Sequence, residues 1–342
     1  MNVPLLRVHD LVTEFTMKKG TVRAVDKISF DVPSGETFGV VGESGSGKSV
    51  TALSILRLNP SPPARTTGEV LFQGENLLTK REGEMRQIRG GKISMIFQEP
   101  MTSLNPALTI ERQIAETVIL HQGLGKKEAR EKAAELLELV SIPSARERLR
   151  SYPHEFSGGM RQRVMIAMAL SCNPLLLIAD EPTTALDVTI QAQFLELLAD
   201  MIAKFKMSLI YITHDLFVIG QICKEVAVMY AGDIVEKTHT SDLFRHPLHP
   251  YTQGLMKCIP NPKEKKRFLD PIPGMVCNML APPPGCKFHP RCEAVLDVCR
   301  RVKPEWQEVE PGHGVSCHLF PRQGEQTHLA APHRRSDLSK DS

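Results

Sequence analysis

The sequence lacks a strong excess of charge of either sign, and it lacks a long apolar run. Its 42 lysine and arginine residues nearly balance 39 aspartate and glutamate residues, and the formal net charge is +3. Composition therefore gives no case for a nucleic-acid-binding protein, which would carry a marked basic excess. The best candidate for a membrane span, residues 164–180, is interrupted by Ser171, Asn173 and Pro174. It instead predicts a buried helix followed by a buried strand.

We find no internal repeats in the sequence, and we expect no secretory signal peptide. The N-terminal residues do not show the charged, apolar and small-residue succession of a signal peptide, so we expect the thiols to be reduced. Because no apolar run is long enough to span a membrane, we also expect a soluble protein. The eight cysteines are then not expected to form disulfides. A length of 342 residues allows one large domain and a smaller one.

The most informative segment is a glycine-rich loop. Residues 36–41 form an apolar run of strand length, residues 42–49 read GESGSGKS, and residues 50–58 have helical apolar spacing. This is the context of a phosphate-binding P-loop, because glycines let backbone N–H groups approach phosphate and a helix N-terminus favours negative charge. A chance glycine-rich turn is the alternative, and both flanks argue against it. The residues predicted to bind a nucleoside triphosphate are Gly42, Ser44, Gly45, Ser46, Gly47, Lys48 and Ser49.

A second apolar strand, at residues 175–179, is followed by two carboxylates. Asp180 suits Mg²⁺, together with the hydroxyl group of Ser49. Glu181 is placed to polarise an attacking water as a general base. An ordinary acidic turn is the alternative, which the upstream P-loop disfavours. The chain has no N-K-x-D segment for guanine recognition, and this favours ATP over GTP.

Further short elements follow in a fixed order. A Ser-Gly-Gly run at residues 157–159 precedes a strongly apolar helix. Alone it would be an ordinary N-cap, but its place just before the acidic strand resembles the signature motif of ABC-transporter ATPases. Gln98, Asp187 and His214 match the Q-loop, D-loop and switch positions of that family, and Phe15 matches its aromatic platform for adenine.

The resemblance covers roughly residues 4–240 and implies an α/β P-loop ATPase fold. That fold has a RecA-like core, an antiparallel β subdomain and a helical signature subdomain at about residues 100–170. The resemblance also implies that two such domains pack head to tail, with ATP between one P-loop and Ser157, Gly158 and Gly159 of the other domain.

Roles for single residues follow from the same resemblance. It implies that Glu181 activates water, that His214 contacts the γ-phosphate, and that Gln98 joins the Mg²⁺ site. It also places Asp187 in the ATP-binding set. The segment after Gln98, residues 99–110, matches the family's docking groove for a membrane subunit.

The remainder of the chain resembles the C-terminal extension of the oligopeptide and dipeptide branch of ABC ATPases. The match rests on Pro271, Pro273, Gly274, Gly285, Cys286, Pro290, Arg291, Cys292 and Cys299. We therefore expect an ATPase domain at residues 1–240, this extension at residues 241–322 and a disordered tail at residues 323–342.

Four cysteines in the extension are a candidate metal centre. Cys286, Cys292, Cys299 and Cys317 lie on a proline-rich segment that lacks a core of its own, where a metal would stabilise the fold. Their spacing is wider than the C-x₂₋₄-C pairs of structural zinc sites. We therefore predict a [4Fe–4S] cluster, with Zn²⁺ as the alternative and free thiols as the third possibility.

These resemblances imply the ATPase subunit of an importer for di- and oligopeptides, peripheral at the cytoplasmic face of the inner membrane. The expected partners are a second, related ATPase subunit, two integral membrane permeases and, indirectly, an extracytoplasmic peptide-binding protein, with no nucleic acid. The alternatives are an importer of nickel or another small solute, a soluble ABC ATPase in translation or DNA repair, and an assembly module with a decayed ATP site. The intact Lys48, Asp180, Glu181 and His214 argue against decay.

Overall fold

The structure is a computed structural model that describes residues 3–98, 103–184, 187–259 and 272–320. One of its two sheets is a four-stranded antiparallel sheet with the order β2-β1-β4-β5. Its strands are β1 (Leu6–Met17), β2 (Gly20–Val32), β4 (Ala64–Phe72) and β5 (Glu75–Asn76). This sheet is the predicted antiparallel β subdomain.

The second sheet has eight strands in the order β11-β12-β10-β9-β3-β8-β7-β6. They are β3 (Thr37–Val41), β6 (Ile93–Ile96), β7 (Leu176–Asp180), β8 (Ser208–Thr213), β9 (Glu225–Tyr230), β10 (Asp233–His239), β11 (Gln307–Glu310) and β12 (His313–Val315). The five strands from β9 to β6 run parallel. Their carboxyl ends therefore share one edge of the sheet, where ligands bind in open α/β folds.

The described residues form ten α-helices. They are α1 (Lys48–Ile55), α2 (Glu82–Ile88), α3 (Ile110–Gln122), α4 (Lys126–Leu139), α5 (Ala145–Arg148), α6 (Gly158–Leu170), α7 (Val188–Phe205), α8 (Leu216–Ile222), α9 (Thr240–Arg245) and α10 (Pro250–Lys257). Helices α3 to α6 form the predicted helical subdomain. In the described part of the chain, no helix is long and apolar enough to cross a membrane.

The parallel strands are buried on both faces because their side chains alternate between two apolar cores. In β7, Leu177 and Ala179 pack into one core, and Leu176 and Ile178 into the other. This alternation follows from the two-residue repeat of a strand, and double burial explains why the strand sequences are continuously apolar.

The C-terminal extension continues the main sheet. Strand β12 pairs with β10, with Val315 opposite Glu236, and β11 pairs with β12. The domain boundaries at residues 240 and 322 stay predictions, and the predicted tail at residues 323–342 lies outside the described residues, as does Pro271.

Candidate functional site

The P-loop has the predicted strand, loop and helix arrangement. Strand β3 ends at Val41, and helix α1 begins at Lys48 after the loop. Gly47 has a φ of 105°, and a Cβ atom there would lie 2.4 Å from the carbonyl oxygen of Ala24. Only glycine fits this position, because both the left-handed backbone and the close approach exclude a side chain.

Lys48 is held inside the loop. Its side chain is only 5% exposed, and Nζ donates to the carbonyl oxygens of Gly42 at 2.8 Å and Glu43 at 3.1 Å. Nζ also lies 3.6 Å from Oε1 of Glu181. Burial lowers the pKa of Lys48, and the nearby carboxylates oppose this. The ammonium group is thus positioned before any phosphate arrives.

Ser49 and Asp180 meet at the carboxyl edge of the sheet. The hydroxyl group of Ser49 donates to Oδ1 of Asp180 at 3.0 Å. Burial raises the pKa of Asp180 to about 6, and the Ser49 hydrogen bond partly opposes this. A hydroxyl and a carboxylate side by side are oxygen ligands of the kind that Mg²⁺ prefers, so the residues present fit the predicted ion.

Glu181 is the centre of a small hydrogen-bond network. Its Oε2 accepts from Nε2 of Gln98 at 3.4 Å and from the Thr184 hydroxyl at 3.1 Å, and it lies 3.2 Å from Nδ1 of His214. The backbone of Glu181 is left-handed, with a φ of 44°, and its N–H donates to the carbonyl of Ile212 at 2.9 Å. Such strain costs of order 1–3 kcal/mol and clusters at functional sites.

The predicted catalytic side chains face one cavity of about 810 Å³. Gln98, Glu181 and His214 line it together with the P-loop. Leu255 and Val276 of the extension also line it, which sequence reasoning missed, as it missed the Thr184 contact. Thr184 lies three residues after Glu181. This short spacing was the sequence feature that could have suggested a contact between the two side chains.

Phe15 does not line this cavity within the described residues. It lies in β1 opposite Val22 and is half-buried. Its role at the adenine ring stays a prediction.

The signature residues lie away from the P-loop of the same chain. Ser157 is the N-cap of α6, and its side chain accepts from the Met160 N–H. Ser157 and Gly159 line a separate cavity of about 390 Å³, and Ser157 and Gly158 are exposed. Asp187 is the N-cap of α7 and accepts from the Ile190 N–H at 2.9 Å, while residues 185–186 of the D-loop lie outside the described residues. One chain therefore does not bring both halves of the predicted ATP sandwich together.

A further cavity of about 360 Å³ lies between the core and the helical subdomain. We call it the apolar groove; its lining includes Leu58, Phe97, Met165 and Met168. Leu58 and Phe97 are 38% and 41% exposed, so the groove presents apolar surface to solvent. The groove adjoins the predicted docking segment, of which residues 99–102 lie outside the described residues.

The four cysteines of the extension, Cys286, Cys292, Cys299 and Cys317, are all buried or half-buried. Burial raises the pKa of Cys286 to about 11 and that of Cys317 to about 12, and the neighbouring thiols add to both increases. The N–H of Cys286 donates to the carbonyl of Cys299 at 2.8 Å. However, no group of three or more His, Cys, Asp or Glu residues among those described is placed to hold a metal ion. The predicted iron–sulfur or zinc centre is therefore not supported by this geometry.

Comparison with known proteins adds an independent finding. Residues 25–184 match the family described as ABC transporter, and residues 235–299 match the family described as oligopeptide/dipeptide transporter, C-terminal region. The chain is 53% identical to the probable peptide ABC transporter ATP-binding protein y4tR of Sinorhizobium fredii, over 92% of this chain and 94% of that protein. It is 50% identical to the oligopeptide transport ATP-binding protein AppD of Bacillus subtilis, over 94% and 98% of the two chains.

A solved structure is similar as well. The dimeric, post-hydrolysis structure of the ATP-binding cassette MJ0796 bound to ADP and phosphate aligns with a TM-score of 0.61 at 26% identity. The alignment covers 69% of this chain and 98% of that one.

Proposed function

Because the chain belongs to the ABC transporter family of ATP-binding proteins, we propose that it is the ATP-hydrolysing subunit of an importer for short peptides. One observation carries this proposal: Lys48, Gln98, Glu181 and His214 converge on one cavity in a chain about half identical to peptide-transport ATPases over nearly its whole length. The relatives do not favour nickel, translation or DNA repair as alternatives.

The P-loop binds the phosphates of ATP in this proposal. Lys48 exchanges its loop carbonyls for phosphate oxygens, and the N–H groups of the loop and of the start of α1 complete the cradle. Ser49, Asp180 and Gln98 would hold Mg²⁺, which neutralises phosphate charge when it is bound.

Glu181 is the general base. Its carboxylate accepts a proton from the attacking water, while Thr184 and His214 fix its orientation through Oε2. His214 also contacts the γ-phosphate in this proposal, and its exposed ring faces the cavity.

A second ATPase subunit completes the site. Ser157 and Gly158 are exposed, and none of Ser157, Gly158 and Gly159 lines the cavity of their own P-loop, so they can contact ATP held by a partner. The similar cassette MJ0796 is a dimer, which supports this arrangement. We infer that the partner is a related ATPase rather than a second copy, as the resemblance to the peptide branch implies.

The subunit works at the cytoplasmic face of the membrane, where an importer's ATPases meet its permeases. We place the permease contact at the apolar groove, because Leu58 and Phe97 expose apolar surface there. The extracytoplasmic peptide-binding protein is then an indirect partner, reached through the permeases.

The [4Fe–4S] cluster is a separate, finer proposal on which no step of ATP hydrolysis depends. It is supported by the four cysteines carried on one extension, of which Cys286 and Cys299 are joined by a backbone hydrogen bond of 2.8 Å. The cysteine spacing in the sequence is wider than the C-x₂₋₄-C pairs of structural zinc sites, which favours a [4Fe–4S] cluster over Zn²⁺. Iron, zinc and acid-labile sulfide should be measured on anaerobically purified protein; about four irons per chain, lost on changing the cysteines to serine, is the expected result, and metal-free protein would refute it.

Reconstitution tests the main proposal. The chain should co-purify with integral membrane subunits, and the assembly in vesicles should hydrolyse ATP faster when peptide-loaded binding protein is added. Lys48→Ala should abolish this stimulation, whereas Lys224→Ala, which removes an exposed lysine paired with Glu36, should not. Hydrolysis that responds to nucleic acid and not to peptide would contradict the proposal.

A further inference from the structure

Two residues of the C-terminal extension, Arg291 and Tyr251, form hydrogen bonds with the P-loop residue Glu43. NH1 and NH2 of Arg291 donate to the two carboxylate oxygens of Glu43 at 2.7 Å and 3.0 Å, a bidentate pair of the strong, oriented kind. The hydroxyl group of Tyr251 accepts a hydrogen bond from the Glu43 N–H at 2.9 Å. Both the side chain and the backbone of one P-loop residue are thus held by residues far along the chain.

The side chains of Arg291 and Tyr251 are themselves held in place by contacts with other residues. Arg291 is 4% exposed at its side chain, its Nε donates to the carbonyl of Pro273 at 2.9 Å, and its guanidinium lies 5.9 Å from the ring centre of Tyr230. Tyr251 is fully buried and packs edge-on against Tyr230 at 4.8 Å. Since Tyr230 ends strand β9, the two anchors rest on the central sheet.

Glu43 in turn sets the position of Lys48. The carbonyl oxygen of Glu43 accepts from Nζ of Lys48 at 3.1 Å, so a shift of Glu43 would displace the phosphate-binding ammonium group. The loop contains three glycines, and glycine has the largest conformational freedom to lose on ordering. Anchoring the loop before ATP arrives reduces the entropy that binding must overcome.

We propose that Arg291 and Tyr251 are positioning residues of the ATP site: they hold the P-loop, through Glu43, in the shape that accepts nucleotide. This contact joins the two family regions, because Glu43 lies in the matched residues 25–184 and both anchors lie in residues 235–299. The inference rests on the proposed ATP binding and extends it. It makes the extension a working part of the nucleotide site.

The test is steady-state hydrolysis by the reconstituted assembly carrying full-length variants. Arg291→Gln is expected to raise the KM for ATP about tenfold, equivalent to about 1.4 kcal/mol, the scale of a lost hydrogen bond to a charged group. The kcat should change little, because binding of substrate and of transition state weaken alike. Glu43→Gln should raise the KM for ATP as much as Arg291→Gln does. The double variant should have no higher a KM than either single variant, because both substitutions remove the same interaction.

A matched control is Lys287→Gln. Lys287 also ties the extension to the core, through Asp26 at 3.2 Å and Asp233 at 3.1 Å, but it does not touch the P-loop. It should lower the melting temperature and leave the KM for ATP unchanged. Tyr251→Phe, which keeps the ring packing and removes one neutral hydrogen bond, should raise the KM about threefold.

The KM for ATP and the melting temperature of the variants together distinguish a positioning role from a merely structural one. If Arg291→Gln and Glu43→Gln lower the melting temperature as Lys287→Gln does and leave KM unchanged, the contact is merely structural and the proposal is overturned. If Arg291→Gln does not fold, Glu43→Gln and Tyr251→Phe decide the question with Arg291 in place. Failure of the unaltered assembly to bind ATP would instead refute the proposed function.

Discussion

Replacing Glu181 with glutamine tests the assignment of the general base most directly. Glutamine has nearly the same shape, so it can keep contacts with Thr184 and His214, which bond Oε2 at 3.1 Å and 3.2 Å. The amide cannot take a proton from water. A positioned general base contributes roughly 10²- to 10⁴-fold, so the barrier should rise by about 3–5 kcal/mol at 1.36 kcal/mol per decade.

ATP binding should survive the same change. Glu181 lies 3.6 Å from Lys48, and in the proposed function phosphate oxygens replace that partner when ATP binds. Removing a negative charge beside the γ-phosphate should leave the affinity equal or higher. The variant is therefore expected to bind ATP, to close on its partner and to stall before hydrolysis.

Single-turnover hydrolysis and nucleotide affinity in the reconstituted assembly measure both effects. The control is Glu36→Gln, the same chemical change at a surface carboxylate paired with Lys224, which should leave both quantities unchanged. Hydrolysis by Glu181→Gln within about tenfold of the unaltered rate, well below the expected contribution of a base, would refute the role of Glu181. Loss of ATP binding would show that the carboxylate acts in binding instead.

Three other predictions follow from local geometry. Gly47→Ala should abolish ATP binding, because its Cβ would lie 2.4 Å from the carbonyl oxygen of Ala24; equilibrium binding of a fluorescent nucleotide measures this. Burial lowers the pKa of His249 from 6.5 to about 4. As the pH falls from 6.5 to about 4, this histidine therefore takes up a proton in the unfolded chain but not in the folded one, and the free energy of unfolding should decrease. His249→Asn should reduce the slope of the unfolding free energy against pH by up to about 1.4 kcal/mol per pH unit, as measured by denaturant titrations. Leu58→Asp should weaken co-purification with the permeases without changing ATP affinity of the isolated chain, since it places a charge in the apolar groove.

Each of these has its own check. Gly45 also has a positive φ, but a Cβ there would meet no atom within 4 Å, so Gly45→Ala should be milder than Gly47→Ala; equal effects would remove the steric argument. If His249→Asn leaves the pH dependence of the unfolding free energy unchanged, groups other than His249 cause the loss of stability in acid. Leu120→Asp, on an exposed position of α3 that does not line the groove, should leave co-purification intact.

The P-loop and the acidic strand were predictable because their chemistry is local. The glycines, Lys48 and Ser49 lie within eight consecutive residues, and the helix N-terminus that follows them is set by the same segment. Asp180 and Glu181 follow a parallel strand, and the carboxyl ends of parallel strands meet at one edge. The sequence therefore predicted that the two segments would come together, although it gave no distances.

The cysteine cluster shows where spacing was insufficient. Counting residues between thiols indicates that they are near in sequence, but a metal site depends on where the side chains converge in space. Among the described residues, the fold places no three His, Cys, Asp or Glu side chains where they could hold one metal ion.

The sequence by itself determined the ATPase chemistry, the family and the order of the catalytic elements, since each is encoded in a short, contiguous pattern. Only the tertiary structure decided that the extension holds the P-loop. Tyr251 and Arg291 contact Glu43 across 208 and 248 residues of chain, and no periodicity or motif spacing links such distant positions. That contact exists because the extension packs against Tyr230 and the central sheet, and packing between distant segments is a property of the folded chain alone.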